Sequence, residues 1–460
     1  MQTTVETELK LDADEGFRLP DLPGEPLETR TFTSTYYDNA SRSLARSAIT
    51  LRRRVENGLS RWQLKLPKGG HIRAEIEAGG GPASPPPEIA ALLAAHLRHG
   101  ALEPIATLRT RRAGTRVMSN GTAVADVTLD LVDILDGMKD AGHFAELEVE
   151  LVDGDEDDLE RIGRTLRRAG ARVGDSTPKV MRVVGVPTER KTTNRIQALV
   201  RDQLLALETH DPGVRLGADP EDVHRFRVAT RRLRAVVRAT QPVFGDLLAP
   251  VAAELKWLAG LLGAVRDLDV LLARLRTDVA RLDEDRDAGE ELVAILEEEH
   301  GRVRDELLAA LESARYLDLL ARLEAAVDAL PSVDDVALSP LAAGELRKLK
   351  KAAKVSEGPA DDELHALRIR AKRARYAAEL LPGDKRVARY LDALKHVQDV
   401  IGEHQDAVVA EGRLRLIARE RTAVAAGRLI ERERERKRAR RAEYADAVDD
   451  ALAAGVKALR

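Results

Sequence analysis

The sequence contains no cysteine, which excludes disulfide bonds and thiolate metal sites. Aromatic residues make up only 3% of the chain, so any core must consist mainly of leucine, alanine and valine. No run of about 18 apolar residues is present, and we expect no membrane-spanning helix. No basic segment followed by an apolar stretch marks a signal peptide at the N-terminus. These absences favour a cytoplasmic protein without a membrane partner.

Excess positive charge is also missing. The 74 lysine and arginine residues are balanced by 78 aspartate and glutamate residues, which leaves a formal net charge of -4. A polyanion site must therefore arise from local clustering of basic residues. The glycine-rich patterns G-x-x-x-x-G-K-[ST] and G-x-G-x-x-G are absent as well, so phosphate binding would depend on side chains rather than on a P-loop.

The chain changes pattern along its length. Up to about residue 187, short alternating stretches such as "TTVETELKL", "WQLKL" and "ELEVEL" are separated by Gly, Asn, Asp and Pro. Two helical segments, "PPPEIAALLAAHLRHG" and "DEDDLERIGRTLRRAG", interrupt them. From about residue 195 the pattern is helical almost to the end, with a junction near "GVPTERKTTNR". We therefore expect an α+β protein: an antiparallel barrel with accessory helices (1–187), then an all-α domain (195–455).

The helical half repeats itself. The segment "VHRFRVATRRLRAVVR" from Val223 resembles "LHALRIRAKRARYAAE" from Leu364. At nearly the same shift, "LKWLAGLLGAVRDLDVLLARL" matches "LKHVQDVIGEHQDAVVAEGRL". Two blocks repeated in one order indicate a duplicated unit, with copies at about 195–330 and 340–455. The expected form is two helical bundles packed side by side.

Charged residues alternate along several of the predicted strands. Because alternate residues of a strand share one face, Glu6, Glu8 and Lys10 would point to the same side. The other charged faces are Arg52 and Arg54; Lys65; Arg109 and Arg111; and Glu146, Glu148 and Glu150. For a single strand, exposure to solvent explains such a face. Here the strands segregate by sign, which favours a closed barrel with a charged lumen and apolar faces turned outward against helices.

A lumen with carboxylates on one side and basic groups on the other suits a metal-bound chain of phosphates. Carboxylate oxygens hold Mg²⁺ or Mn²⁺, which retain several waters. Guanidinium groups bind phosphate oxygens two at a time. The combination would position a phosphoanhydride and neutralise the charge that develops when a phosphoryl group is transferred.

The segment "ETELK" resembles the E-x-E-x-K signature of the CYTH domain, the triphosphate tunnel metalloenzyme family. It is followed by "YYD", "LRRR", "WQLK", "RTRR", "ELEVE" and "PKVMR" in the order typical of that family. The resemblance covers about residues 1–187. It implies an eight-stranded tunnel that binds or hydrolyses triphosphates with a divalent metal.

The resemblance also implies roles for individual residues. The catalytic set would be Glu6, Glu8, Lys10, Glu146 and Glu148, the four glutamates being metal ligands. Asp126 falls where the family has a further acid, although Asp130 and Asp133 lie nearby and leave the register open. The expected triphosphate-binding residues are Lys10, Arg52, Arg54, Lys65, Arg109, Arg111 and Lys179. Glu150 and Arg73 are additional candidates.

The repeated helical segments each carry a basic stripe. At 100° per residue, the stripe of the first copy comprises His224, Arg227, Arg231, Arg234 and Arg238, and that of the second comprises His365, Arg368, Lys372 and Arg375. Like charges at this spacing repel one another and require neutralisation. The sequence leaves two sources open: an external polyanion, or acids on a neighbouring helix such as Asp267 and Asp406.

These stripes resemble the CHAD domain, the conserved-histidine α-helical domain, over about residues 195–455. The resemblance implies two four-helix bundles around a basic groove that binds inorganic polyphosphate. Its expected ligands are His224, Arg227, Arg231, Arg234, Lys256, His365, Arg368, Lys372, Arg375 and Lys395. The copies differ where Val265 matches His404 and Arg266 matches Gln405, so the groove is not symmetric.

Taken together, the patterns predict an inorganic triphosphatase that depends on Mg²⁺ or Mn²⁺ and carries a polyphosphate-binding module. Two alternatives are a non-catalytic polyphosphate-binding or sensing protein and, with less support, a class IV type adenylyl cyclase, for which few aromatics are available to seat adenine. The stripes have no aromatics for stacking bases, so no sequence-specific nucleic acid is expected as a partner. Association with polyphosphate granules is one option for a cytoplasmic protein of this type.

Overall fold

The computed structural model describes residues 1–14, 16–81, 84–137, 139–174, 178–185, 192, 195–244, 248–330, 338–354 and 359–459. The chain forms two compact units, Met1–Arg190 and Lys191–Arg460. Most of the expected junction "GVPTERKTTNR" lies outside the described residues.

The N-terminal unit is a closed antiparallel barrel. In its described part the strands are β1 (Gln2–Ala13), β2 (Gly24–Asp38), β3 (Thr50–Glu56), β4 (Leu59–Gly69), β5 (Ile72–Gly79), β6 (Glu103–Ser119), β7 (Thr122–Asp136), β8 (Lys139–Leu151) and the short β9 (Arg172–Val173). Their order is β5-β4-β3-β2-β6-β7-β8-β1, and β1 pairs with β5 to close the ring, while β9 adds to β1. The eight-stranded tunnel is therefore confirmed.

Strand β1 closes the barrel by changing partners half-way along its length. Residues Gln2–Thr7 pair with β5, and residues Glu8–Ala13 pair with β8. Within β1, Glu8 and Lys10 are buried, and so are Leu11 and Ala13 on the opposite face. Both faces of the second half of this strand are therefore covered, one by the barrel interior and one by a packed helix.

Four helices accompany the barrel: α1 (Ser43–Arg46), α2 (Pro87–Leu97), α3 (Glu156–Arg168) and α4 (Lys179–Val184). Asp155 and Asp158 form a capping box at the start of α3, which satisfies its first backbone N–H groups. Leu159, Ile162 and Leu166 of α3 form one cluster with apolar residues of β1, β7 and β8. The hydrophobic core thus lies outside the barrel wall, as the alternation of charged and apolar residues predicted.

The C-terminal unit is helical throughout its described part. Its helices are α5 (Arg195–Leu216), α6 (Pro220–Phe244), α7 (Ala249–Val279), α8 (Arg286–Glu312), α9 (Ala314–Asp328), α10 (Ser339–Ala352), α11 (Asp361–Ala378), α12 (Lys385–Ile417) and α13 (Ala423–Ala458). The second copy, α10 to α13, packs around Leu364, Leu367, Tyr390 and Leu394. The expected duplicated bundles are confirmed.

The two copies differ in their last helical segment. In the first copy the chain breaks between α8 and α9 at Ser313, whose hydroxyl caps α9 by accepting from the N–H of Tyr316. In the second copy α13 runs without a break for 36 residues. A shared apolar cluster, which includes Leu271, Leu292, Leu414 and Leu429, joins the copies. None of the described helices combines the length and the apolarity that crossing a bilayer requires.

Candidate functional site

The barrel encloses a cavity of about 250 Å³ whose walls are almost entirely charged or polar. Side chains from the inner faces of seven strands and from α4 reach it. Its ionisable lining consists of Glu6, Lys10, Arg30, Tyr36, Arg52, Arg54, Lys65, Glu75, Glu77, Arg112, Glu148, Glu150 and Lys179. The charged faces predicted for β1, β3, β4 and β8 are therefore inside the barrel.

Helix α4 closes one end of this cavity. Its residues Val180 and Met181 pack in one cluster with Tyr36, Leu108 and Val132 from β2, β6 and β7. At the other end, Arg30, Arg54, Gln63 and Glu77 also line an outer recess of about 470 Å³. The cavity is thus a pocket with one mouth.

Lys179 and Lys10 hold the acidic side of the cavity together. Lys179 Nζ lies 2.6 Å from Asp130 Oδ2, 2.8 Å from Glu148 Oε1 and 3.2 Å from Glu146 Oε1. Lys10 Nζ lies 3.1 Å from the same Glu148 oxygen. Glu146 and Asp130 are completely buried. Opposite charges at these distances offset much of the cost of burying each group.

A second acidic group surrounds Lys65. Its Nζ donates to Glu6 Oε2 at 2.6 Å and lies 3.6 Å from Glu75 Oε2 and 3.8 Å from Glu8 Oε2. Glu8 also lies 2.8 Å from Nε of Arg73, which does not line the cavity. The four carboxylates of the predicted metal set are therefore ion-paired with lysines in two neighbouring groups.

Arginine side chains form the opposite wall. Arg52 donates to Gln63 and to the hydroxyl of Tyr36, at 2.7 and 3.3 Å. The guanidinium carbon of Arg54 lies 3.6 Å from the centroid of the Phe32 ring, and its NH2 lies 2.7 Å from Glu56. Stacking on an aromatic ring leaves the edge of the guanidinium group free to bind oxygen atoms. This wall has the chemistry of a phosphate-binding surface.

Burial and neighbouring charge move the pKa values of the glutamates apart. Burial, together with a hydrogen bond to Glu75, raises the pKa of Glu6 to about 8. Burial also raises the pKa of Glu146. For Glu148, burial acts in the same direction, but Lys179, Lys10 and Arg112 outweigh it and hold its pKa well below the usual range. The carboxyl groups of this site therefore differ in how readily each of them releases its proton.

The predicted roles of Arg109 and Arg111 in this cavity have to be corrected. Both side chains are exposed, and neither lines the cavity. The inner face of β6 instead carries Leu108, Thr110 and Arg112. Arg112 forms two hydrogen bonds of 2.7 Å with Asp130 and a further short contact with Glu148. Arg112 therefore has the inward-facing position that the sequence had predicted for Arg111.

The predicted acid on β7 also has to be corrected. Asp126 forms a bidentate pair with the exposed Arg116, at 2.8 Å for both bonds, and does not line the cavity. Asp130, four residues along the same face, contacts Lys179 and Arg112 instead. The sequence left this register open, and the structure places Asp130 in the charged cluster.

Sequence reasoning also missed Glu75 and Arg30. Glu75 is 7% exposed and lies between Lys65 and Arg52. The signal was present, because Arg73, Glu75 and Glu77 alternate with Ala74 and Ile76 in "IRAEIEA". Arg30 pairs with Glu56 through two bonds of 2.6 and 2.8 Å at the mouth of the cavity.

In the helical unit, both basic stripes face one groove of about 700 Å³. We call this the central groove. The predicted residues that line it are His224, Arg227, Arg231, His365, Arg368, Lys372, Arg375 and Lys395. Gly402 on α12 permits this arrangement, since a Cβ atom there would lie 2.9 Å from NH2 of Arg368. The duplication thus brings the two stripes to a common surface.

The stripes are only partly neutralised within the protein. Arg227 NH2 lies 3.2 Å from Asp267 Oδ1, so one of the acids considered from the sequence does take part. Among the described residues, no ion pair of 4 Å or less is formed by Arg231 or Lys372. Burial, then repulsion by Arg231, Arg368 and Arg227, lowers the pKa of Lys372 to about 7. An anion in the groove would reverse that shift.

Two predicted groove residues lie elsewhere. Lys256 is exposed on α7 and does not line the central groove, although its counterpart Lys395 does. Arg234 lines a neighbouring cavity instead, together with Arg238. The first copy contributes Arg232, Arg266 and Arg274 to the central groove instead, and the sequence alignment of the two copies did not predict these three.

Comparison with known proteins assigns both domains to known families. A family model for the CYTH domain matches residues 3–183, and one for the CHAD domain matches residues 198–415. Uncharacterised proteins from two strains of Mycobacterium tuberculosis are 32% identical over 475 residues, which cover 89% of this chain and 88% of each relative. The chain belongs to the CYTH–CHAD family. Its CYTH domain indicates an enzyme of phosphoryl transfer or hydrolysis, and CYTH tunnel enzymes use divalent metals.

Solved structures include relatives of both domains. The CHAD domain from the plant Ricinus communis is 27% identical, with a TM-score of 0.49, and the match covers 58% of this chain and 95% of that chain. A candidate adenylyl cyclase from Hippeastrum, described as having a dominant triphosphatase activity, is 19% identical with a TM-score of 0.26. That match covers 40% of this chain and 97% of the Hippeastrum chain.

Proposed function

We propose that the CYTH domain hydrolyses inorganic triphosphate with Mg²⁺ or Mn²⁺, and that the CHAD domain binds inorganic polyphosphate in the central groove. The observation that carries the first part is the closed, one-mouthed cavity with an arginine wall on one side and ion-paired carboxylates on the other. Its volume of about 250 Å³ leaves little room beyond a short phosphate chain. In the reaction, water breaks one phosphoanhydride bond and releases orthophosphate and pyrophosphate.

The protein's own groups would bind and orient the phosphate chain. Arg52, Arg54 and Arg112 would present N–H donors to it, and Lys10 and Lys65 would present ammonium groups. Donors already held in place by the barrel stabilise the negative charge that develops on the transferred phosphoryl group without further reorganisation. Lys179, anchored by Asp130, would maintain the positive charge at the closed end.

The carboxylates suit a divalent metal in their chemistry. Within the described part of the chain, neither oxygen of the buried Glu146 has a hydrogen-bond partner, and one oxygen of Glu75 has none either. Among the described residues, however, no three acidic or histidine side chains are grouped closely enough to hold an ion by themselves. We propose that Glu6, Glu8, Glu146 and Glu148 share the ion with substrate oxygens, as is common for Mg²⁺. An ion held there would supply positive charge that polarises the phosphoanhydride bond and stabilises the transferred phosphoryl group.

For the CHAD domain, Arg231 and Lys372, which form no ion pair with any described residue, support polyphosphate binding. A flexible polyanion would neutralise both stripes at once and release counterions, so binding should weaken steeply with salt, by analogy with nucleic acids. Replacing Arg231 and Lys372 by glutamate should remove roughly 1.5–3 kcal/mol of binding free energy per charged contact.

One phosphate-release panel tests the enzymatic proposal. Inorganic triphosphate, ATP, pyrophosphate and long polyphosphate are each incubated with the full chain and Mg²⁺, Mn²⁺ or EDTA. Release of orthophosphate from inorganic triphosphate in preference to ATP, and only with metal, is the expected result. Formation of cyclic AMP from ATP would instead support a cyclase. Binding of polyphosphate with no turnover of any compound would support a non-catalytic sensor.

A further inference from the structure

A second cavity of about 500 Å³ lies between α6, α10 and α11, next to the central groove. We call it the side cavity. It shares Arg231, Lys372 and Tyr376 with the central groove, so these three side chains form the wall between the two spaces. Its size lies within the range typical of small-molecule sites.

The side cavity, like the central groove, is strongly basic. Among its described lining residues are six basic side chains, Arg231, Arg234, Arg238, Lys348, Lys372 and Arg373. The one acidic side chain found among them, Glu345, lies 2.7 Å from Lys348 and neutralises that residue. Among its described lining residues, the central groove has nine basic side chains and three aspartates, Asp267, Asp399 and Asp406. Both spaces therefore carry an excess of positive charge.

The side cavity also has an apolar wall, which inorganic polyphosphate would leave unmatched. This wall is formed by Ala235, Leu341, Ile369, Ala377 and the ring of Tyr376. Ile369 is 38% exposed although it lies on a helix within a bundle. An exposed apolar surface rimmed by charged groups is typical of a site for a ligand that has both characters.

We propose that the side cavity binds an organic di- or triphosphate, whose compact apolar group packs on Ile369 and Tyr376 while its phosphates reach Arg231 and Lys372. Because the central groove uses the same two cations, organic phosphate and polyphosphate compete for the CHAD domain. The competition rests on the proposed function of the central groove, whereas binding of the organic phosphate does not.

Two kinds of compound have this chemistry, a nucleotide with an aromatic base and an isoprenoid diphosphate with an aliphatic chain. ATP and geranyl diphosphate are suitable probes, and inorganic tripolyphosphate is the matched anion without an apolar group. Each is titrated by calorimetry into the full chain in EDTA, which prevents turnover. Every protein in this comparison also carries Arg52→Ala and Arg112→Ala, which remove phosphate binding in the barrel.

Ile369→Asp is the diagnostic change, because it adds a negative charge to the apolar wall at an already exposed position. Val409→Asp is the matched control, since Val409 is 48% exposed and lines only the central groove. We expect Ile369→Asp to weaken binding of ATP or geranyl diphosphate about tenfold or more, and Val409→Asp to leave it within about twofold. The probe that binds more tightly identifies the apolar group.

The outcomes separate the two proposals. If neither organic probe binds, the side cavity is not an organic phosphate site. The same conclusion follows if both probes bind no better than tripolyphosphate and the Ile369→Asp change leaves their affinity unaltered. If an organic probe binds but does not displace labelled polyphosphate from the same protein, the competition is wrong. If polyphosphate itself fails to bind while the organic probe binds, the proposed function of the central groove fails and the side cavity stands.

Discussion

Lys179 on α4 and Asp130 on β7 form a hydrogen bond of 2.6 Å between two almost fully buried side chains. Lys179 is the first residue of the helix that closes the barrel, and Val180 and Met181 follow it into the apolar cluster at that end. The same ion pair therefore supplies charge to the cavity and anchors its closing element. Loss of the pair should affect stability and activity together.

Lys179→Met should destabilise the N-terminal unit by about 3 kcal/mol, at the lower end of the range for breaking a buried ion pair, because Arg112 still neutralises Asp130. Urea unfolding followed by circular dichroism measures this loss, and phosphate release measures the accompanying loss of activity. Arg109→Met, at an exposed position of the barrel, should change neither quantity. Equal stability of the two variants would show that the pair does not anchor α4.

Arg111 and Arg112 are neighbours in sequence on opposite sides of the barrel wall. Arg112→Ala should reduce triphosphatase kcat/KM by 100-fold or more, since one charge-assisted contact is worth about 1.5–3 kcal/mol and the Asp130 and Glu148 pairs are lost with it. Arg111→Ala should remain within about twofold of the unaltered protein, as is usual for exposed positions. Steady-state kinetics at saturating metal makes the comparison. Equal losses in both variants would contradict the assignment of the inner face.

Glu6→Gln and Glu148→Gln should each abolish metal-dependent phosphate release while leaving helical content unchanged. The amide retains the shape of the carboxyl group but removes the negative charge that a divalent cation requires. Release of orthophosphate from inorganic triphosphate and far-ultraviolet circular dichroism are measured on the same samples. Glu25, which is exposed at the start of β2, provides the control change Glu25→Gln. Full activity in either cavity variant would exclude this metal site.

Residues 1–190 should fold and hydrolyse inorganic triphosphate without the helical unit. The barrel closes on itself, and the side chains that line its cavity all belong to residues 6–179. Thermal unfolding and phosphate release of the fragment are compared with those of the full chain. A fragment that is folded but inert would show that the CHAD domain is required for catalysis and that the proposed domain boundary is wrong.

Polyphosphate affinity should fall as pH rises above 7, because Lys372 must carry a proton to bind the anion. Burial, and then the neighbouring charges of Arg231, Arg368, Arg227 and Asp406, give it a pKa of about 7 in the free protein. Bound phosphate raises that pKa, so each pH unit between the two values weakens binding by up to about tenfold. Calorimetry with long polyphosphate from pH 6 to pH 9 measures the slope.

Lys372→Arg is the matched control, because arginine keeps its charge over the whole range. It should bind polyphosphate with little dependence on pH. In the ligand-free protein, the free energy of unfolding depends on pH in the opposite direction. Because the pKa of Lys372 is depressed in the folded state, its charge destabilises the fold below pH 7. Stability therefore rises as the pH increases from 7 toward the pKa that Lys372 has in the unfolded chain. An unchanged slope in Lys372→Arg would assign the pH dependence to another group.

The sequence predicted the charged face of β1 because the pattern is compatible with only one arrangement of its side chains. Glu6, Glu8 and Lys10 alternate with threonine and leucine, so a strand can place them on one side only. The sequence did not predict the inner face of β6, because "TLRTRR" has arginines at both odd-numbered and even-numbered positions. Which of them face inward depends on which neighbouring residues enter the apolar cluster at α4. Leu108 enters that cluster, which directs Arg112 inward and Arg109 and Arg111 outward.

The choice between Asp126 and Asp130 was undetermined for a similar reason. Both lie on the inner face of β7, and only the depth of the barrel separates them. Depth depends on the stagger between strands, which side-chain alternation does not report. In the helical unit, the repeat placed both stripes correctly on α6 and α11, but matching Lys256 to Lys395 ignored how differently α7 and α12 border the central groove.

The divided pairing of β1 has a consequence for the order of events during synthesis. Strand β1 leaves the ribosome before the rest of the barrel, and it cannot complete its pairing until residues 145–150 of β8 have followed it. The strands between them, β2 to β7, include neighbours along the chain that can pair earlier as hairpins. Contacts of such long sequence separation form slowly. Ring closure should therefore be the late step in folding of this unit, and a nascent chain halted before residue 145 would expose the unpaired edges that promote aggregation.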